Sequence, residues 1–199
     1  MEVESDFDYT IKLLILGDSN VGKTNFISQF IDSKFSDNYM CTSGIDLKAR
    51  TLVVKNKKIK IQLWDTAGQE KYKAITKNLF LKVQGILIMY DITNEKSFTN
   101  LKNWVKLVKE ECGKSMQMII IGNKSDLVFE RVIKKEKATN YSWEQGIQYI
   151  ETSSKTGNNV INAVIALCEK IMENTEIVND CSFTLNVGHL SKKKGKCCS

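Results

Sequence analysis

The stretch Gly17-Asp18-Ser19-Asn20-Val21-Gly22-Lys23-Thr24 constrains this chain more than any other, because it fits G-x-x-x-x-G-K-[ST] and follows the apolar run Ile11 to Leu16. The run reads as a buried strand, and a strand entering a glycine turn makes a phosphate cradle. The two glycines let the backbone curl so that successive amide N–H groups from Asp18 to Gly22 point inward. A helix starting near Gly22 aims the positive end of its dipole at the same place. A glycine turn beside a solvated lysine is the plainer alternative, and the preceding strand argues against it.

Lys23 supplies a cation for the β- and γ-phosphates of a nucleotide, and Thr24 a hydroxyl ligand for Mg²⁺. A loop of this kind points to a P-loop nucleotide fold without choosing the base. Asn123-Lys124-Ser125-Asp126 follows the apolar run Met118 to Ile121, at the carboxyl end of another strand, where open α/β sheets bind ligands. Asp126 is placed there to accept two hydrogen bonds from the N1–H and 2-amino groups of guanine, which adenine lacks. Ser153-Ser154-Lys155 follows the strand-like Ile147 to Glu151 and offers backbone N–H groups to guanine O6. Between them, Trp64-Asp65-Thr66-Ala67-Gly68-Gln69-Glu70 ends the alternating strand Lys58 to Leu63. Asp65 is placed to hold Mg²⁺ through water, Gly68 to swing an N–H onto a γ-phosphate, and Gln69 to orient the attacking water. Each segment alone also suits an ordinary polar or acidic loop; their order and spacing argue for one site.

Taken together, these segments resemble the small GTPases of the Ras superfamily. The Trp64 to Glu70 form, Ser43-Gly44-Ile45-Asp46 and the terminal Cys197-Cys198 look like its Rab branch. The resemblance covers about residues 8 to 174 plus the last three. It implies a switch in vesicle and membrane trafficking that binds GTP or GDP with Mg²⁺ and hydrolyses GTP slowly. It also makes Thr42 the threonine that closes on Mg²⁺ and the γ-phosphate in the GTP form, and Phe35 the aromatic whose edge meets the guanine plane. The implied partners are an exchange factor, a GTPase-activating protein, an escort protein, a dissociation inhibitor and effectors. Paired terminal cysteines resemble substrates of double geranylgeranylation, so Cys197 and Cys198 are expected to carry prenyl groups beside Lys192, Lys193, Lys194 and Lys196. The expected location is the cytosol and the cytoplasmic face of intracellular membranes, held there by lipid.

Some positions depart from the Rab pattern. Leu47 stands where most Rabs carry phenylalanine, Leu79 followed by Phe80 where they carry an aromatic after switch II, and Lys71-Tyr72 where Arg-Phe is usual. With Trp64, Leu47 and Leu79 resemble the aromatic triad that effectors read, here with two rings replaced by branched aliphatics.

Composition narrows the alternatives. The formal charge is +6, and subtracting the four tail lysines leaves +2, with no basic face interleaved with aromatics; a nucleic-acid partner is not expected. The single histidine, His189, lies in the tail, which excludes His-based triads and His-rich metal sites within the domain. Of the six cysteines, Cys41, Cys112, Cys168 and Cys181 are scattered without C-x-x-C spacing and are expected to be free thiols, with Cys168 packing on a helix face; the other two are the terminal pair. Arg50 and Arg131 are the only arginines and read as solvated surface charges, leaving no evident cis arginine finger. A metabolic kinase or ATPase would need an Arg-rich lid and spare length, which are missing. A scaffold that binds nucleotide without turnover stays open, although Gln69 gives no reason to prefer it.

Periodicity predicts alternating elements: a helix from Gly22 to about Ile31, then a polar loop from Ser33 to Ser43. A hairpin follows, Asp46 to Lys55 and Lys58 to Trp64, turning at Asn56-Lys57. The runs Gly85 to Tyr90, Met118 to Ile121 and Ile147 to Ile150 read as parallel strands covered on both faces. Helices are predicted at Lys71 to Val83, Glu95 to Glu111, Lys134 to Gln145 and Asn158 to Asn174, the last with Ile161, Val164, Ile165, Cys168 and Ile171 at core spacing. The expected fold is α/β, a six-stranded, mostly parallel sheet with one antiparallel hairpin strand and helices on both faces. The domain is expected at 8–174, between flexible termini at 1–7 and 175–199.

Overall fold

The computed structural model describes residues 7–36, 45–66, 79–113 and 115–186. Strands β1 (Tyr9–Leu16), β2 (Ile45–Val54), β3 (Lys57–Thr66), β4 (Gly85–Asp91), β5 (Gln117–Asn123) and β6 (Gln148–Glu151) form one sheet in the order β2-β3-β1-β4-β5-β6. Only β2 runs antiparallel to its neighbour. Four helices lie among the described residues: α1 (Lys23–Asp32), α2 (Glu95–Cys112), α3 (Lys135–Gln145) and α4 (Val160–Asn186).

The sheet is covered on both faces because successive side chains of a strand point to opposite sides. Leu13 and Ile15 of β1 enter a core with Phe26, Ile27 and Phe30 of α1 and Val164, Leu167 and Cys168 of α4. Leu14 and Leu16 enter a second core with Phe98, Leu101, Val105 and Val108 of α2 and Ala138 of α3. Ile59, Ile61 and Leu63, predicted to share a face of β3, are fully buried in the first core. Cys168 is a free thiol there, and burial pushes its pKa up to about 12.

Four local expectations need correction. The hairpin turns at Lys55-Asn56, one residue early, because both residues take positive φ (47° and 61°), as a two-residue turn matching the strand twist demands. The run Ile147 to Ile150 is not covered on both faces, since β6 is an edge strand and is half-exposed. Ile161 is 37% exposed: the buried stripe of α4 runs through Val160, Ala163, Val164, Leu167, Cys168 and Ile171, rotated away from it. The final helix also continues past Asn174 to Asn186, as the chain has no proline and no glycine between Gly157 and Gly188 to stop it. Of the helix predicted from Lys71 to Val83, the described part is helical at Leu79 and Phe80 and turns at Leu81-Lys82; residues 71–78 lie outside the described residues.

Candidate nucleotide site

The parallel strands end together on one edge of the sheet, and the loops that leave them make the site. Gly17 follows β1 with φ +143°, and a Cβ there would sit 2.1 Å from Met89 O of β4. Gly22 (φ +96°) caps α1 without any side-chain cap, so no capping side chain meets the N–H groups of the first turn. Lys23 is buried, and its Nζ donates to Gly17 O and Asp18 O at 2.7 Å each, closing the loop on itself. Val21 is buried, whereas Ser19 and Asn20 stand exposed at the rim. The Asp18 carboxylate is engaged from α2, by Asn100 Nδ2 at 2.6 Å and Trp104 Nε1 at 2.9 Å.

At the other end Asn123 is 1% exposed and its amide joins three loops. Nδ2 donates to Val21 O at 2.8 Å, while Oδ1 accepts from Thr152 Oγ1 (3.1 Å), Ser154 N (3.1 Å) and Ser154 Oγ (3.0 Å). Here the phosphate loop meets both predicted base segments. Lys124 has φ +66° and its Nζ pairs with Asp91 Oδ2 at 2.6 Å, at the end of β4; Asp91 and Asn123 are register partners. Ser153 Oγ donates to Asp126 Oδ1 at 2.5 Å and fixes that carboxylate's orientation; Lys155 is exposed beside it.

Below β5 lies a polar network. A Cβ on Gly122 would meet Tyr149 Oη at 2.6 Å and Tyr90 Oη at 2.9 Å. These hydroxyls are 2.7 Å apart, Tyr149 donates to Glu151 Oε1 at 2.8 Å, and Arg131 grips Glu151 with two bonds of 2.8 and 3.0 Å.

Asp65, at the end of β3, is 3% exposed; its carboxylate accepts from the Thr24 hydroxyl, and its Oδ1 is buried without a hydrogen-bond partner. Burial pushes the Asp65 pKa up, against the opposing pull of Thr24 and Lys23. Phe35 is half-buried in the loop after α1. Thr42, Gly68, Gln69, Cys197 and Cys198 lie outside the described residues.

The sequence model of the Ras family matches residues 12–173. The chain belongs to the Ras family. It is 45% identical to Ras-related protein Rab-13 of Canis lupus familiaris over 83% of this chain and 82% of that protein. It is 43% identical to Ras-related protein Rab-8B of Homo sapiens (83% and 80%) and to Ras-related protein Rab-8 of Diplobatis ommata (83% and 79%). It is therefore a Rab-type small GTPase, which binds guanine nucleotide, hydrolyses GTP to GDP and regulates vesicle and membrane trafficking.

Within this GTPase, neither arginine is simply solvated. Arg131 is held bidentately by Glu151, and Arg50 donates to Phe30 O at 2.5 Å while lying 5.7 Å from the Phe30 ring centroid. Of the surface expected to be read by effectors, Leu47 is exposed and faces Trp64 in register, but Leu79 is 5% exposed and belongs to the second core. Sequence reasoning missed Asp91, Thr152, Asn100 and Trp104. Asp91 carried a usable signal, a carboxylate ending an apolar strand, the same one that singled out Asp65. The pair Asn100 and Trp104, four residues apart on a helix, carries no signal that names Asp18 as its partner.

Proposed function

We propose that the edge between Lys23 and Asp126 seats Mg²⁺·GTP, with the GTPase unit at residues 8–174. The observation that carries this reading is the Asn123 amide, which binds the phosphate loop and both base segments into one rigid mouth. Backbone N–H groups of Asp18 to Gly22 and the uncapped start of α1 take the phosphates, and Lys23 contacts the β- and γ-phosphates. Asp126 selects guanine, Ser153, Ser154 and Lys155 approach its O6 side, Lys124 lies along the nucleoside, and Phe35 meets the base plane.

The hydroxyl and carboxylate oxygens of Thr24 and Asp65 suit a hard cation, and the partnerless buried Oδ1 of Asp65 is what such a site requires. Thr24, Thr42 and Asp65 (through water) would hold Mg²⁺, which neutralises charge on the phosphate oxygens. Gln69 orients the water that attacks the γ-phosphorus, and Gly68 donates its N–H to a γ-oxygen. With no arginine in place, intrinsic turnover is slow, on the order of 10⁻⁴ to 10⁻³ s⁻¹, and a GTPase-activating protein supplies up to ~10⁵-fold. That slowness lets an exchange factor and effectors use the nucleotide state as a signal.

Prenyl groups on Cys197 and Cys198, with the lysines before them, anchor the protein to cytoplasmic membrane faces and make it a client of an escort protein and a dissociation inhibitor. No helix among the described residues is long and apolar enough to cross a membrane. Single-turnover phosphate release from loaded GTP, with GDP and ADP binding by calorimetry, tests the site. Turnover with GDP no tighter than ADP would refute the base assignment. Membrane flotation of a Cys197→Ser, Cys198→Ser double variant tests the anchor, which predicts its loss from the membrane fraction.

A further inference from the structure

We propose that α2 is a strut that braces the spacing between the two ends of the nucleotide site, with Asn100, Trp104 and Asp91 as its positioning residues. The inference rests on the nucleotide seat proposed above. At its start, Asn94 Oδ1 caps α2 by accepting from Ser97 N at 3.1 Å. The buried Ser97 hydroxyl also ties α2 to the end of β4, accepting from Asp91 N at 3.1 Å and lying 3.3 Å from Asp91 O. Asp91 is itself fixed, since its Oδ1 accepts from Thr93 N (2.8 Å) and Thr93 Oγ1 (2.7 Å). Its other oxygen then holds Lys124 of the base segment at 2.6 Å. Ile92 N also donates to Asn123 O at 3.1 Å, so the chain entering α2 is bonded directly to the base loop.

Asn100 and Trp104 lie three and seven residues after Ser97, on the same helical face. Both donate to the Asp18 carboxylate, one to each oxygen, at 2.6 and 2.9 Å. A carboxylate held at both oxygens keeps its orientation, and hydrogen bonds to an ionised acceptor are the stronger kind. The backbone of that same residue accepts the Lys23 ammonium. The side chain of Asp18 therefore works through α2, while its backbone forms part of the phosphate loop. One rigid helix thus grips Asp18 through its second and third turns and Lys124 through the junction at its start. The helix braces the distance between phosphate and base ends from outside the mouth, in addition to the direct bond from Asn123 Nδ2 to Val21 O.

The strut should act on how long nucleotide stays and not on the chemical step. The test loads the full chain with a fluorescent GDP analogue in Mg²⁺ and measures its release into excess GDP. The variants are Asn100→Ala with Trp104→Phe, which deletes both donors but keeps a ring, and Asp91→Asn, which removes the charge facing Lys124. Each should release nucleotide roughly tenfold faster, while single-turnover hydrolysis of bound GTP changes by less than about twofold. Val105→Ala is the control: Val105 is 2% exposed in the same helix and core, and its truncation should lower Tm without changing release. Release unchanged in either variant, or Val105→Ala releasing as fast at a comparable loss of Tm, overturns the strut. Failure of the wild-type chain to bind labelled GDP would instead overturn the seat on which it rests.

Discussion

Replacing Asn123 by alanine removes one amide and the four hydrogen bonds that join three loops. The Thr152 and Ser154 hydroxyls can rotate toward other acceptors, but Val21 O and Ser154 N are backbone groups and cannot. Both belong to residues that are at most 3% exposed. A buried polar group stripped of its partner costs about 1–3 kcal/mol, so the two together cost about 2–6 kcal/mol of a domain stability on the order of 5–15 kcal/mol. Water entering the space left by the amide favours the lower end of that range. For a domain of this size about 1 kcal/mol moves Tm by about 2–4 °C, which predicts a drop of about 5–20 °C. Because bound nucleotide also stabilises the fold by mass action, melts must be recorded over a series of GDP concentrations. Asp126→Asn provides the comparison, since it weakens nucleotide binding but leaves the Asn123 bonds in place. If Asn123→Ala and Asp126→Asn melt together at equal nucleotide occupancy, the amide does not hold the loops, and the reasoning about a rigid mouth fails.

Asp126→Asn should lower GTP affinity by about 3 kcal/mol, more than a hundredfold, and improve binding of xanthosine triphosphate, whose 2-oxo group suits the new amide; unchanged preference for GTP in competition binding would reject the base assignment. Gln69→Leu should leave nucleotide affinity intact and slow phosphate release by at least about tenfold, while Thr24→Asn should weaken Mg²⁺·GTP more than GDP, both read by fluorescent exchange and phosphate release. Burial works against the Glu151 charge, but Arg131 and the Tyr149 hydroxyl outweigh it and hold the carboxyl below its ordinary value of 4.5. That contribution is present above the unfolded value and is lost as pH falls through the lower, folded one, so stability should decline as pH falls below the ordinary value of 4.5, with a smaller slope in Glu151→Gln; equal slopes in denaturant titrations would show that the pair does not couple to folding.

Much of this was legible in the chain, and for identifiable reasons. The strands β4 and β5 are covered on both faces, so they appear as unbroken apolar runs, and β3 faces one core, so it alternates. The same rule failed at Ile147 to Ile150, because a short apolar run looks alike at the centre and at the edge of a sheet. Gly17 and Gly22 announced the phosphate loop because its φ angles and close approaches exclude other residues. Asn123 was found as part of a tetrapeptide, but its role as a junction was invisible, since Val21, Thr152 and Ser154 meet it only in the folded chain. Ile161 was misplaced by a fraction of a helical turn, the error expected when Ala163 is passed over as too small to mark a core face. Asn100 and Trp104 look like ordinary positions of an amphipathic helix until Asp18 is seen beside them.

The crowding beneath Gly122 limits the routes by which this sequence can drift. Alanine at 122 is blocked while both tyrosine hydroxyls remain, with Tyr149 Oη 2.6 Å and Tyr90 Oη 2.9 Å from the added carbon. Loss of the Tyr149 hydroxyl relieves only the nearer clash and takes a donor from Glu151, leaving Arg131 as its described side-chain partner. A path to alanine at 122 therefore begins with both rings becoming phenylalanine, after which the ring carbon Cζ of residue 90, 3.1 Å from the added carbon, still has to give by a few tenths of an ångström. Among descendants of this chain, the three positions should change in that order, with the hydroxyls lost before the glycine.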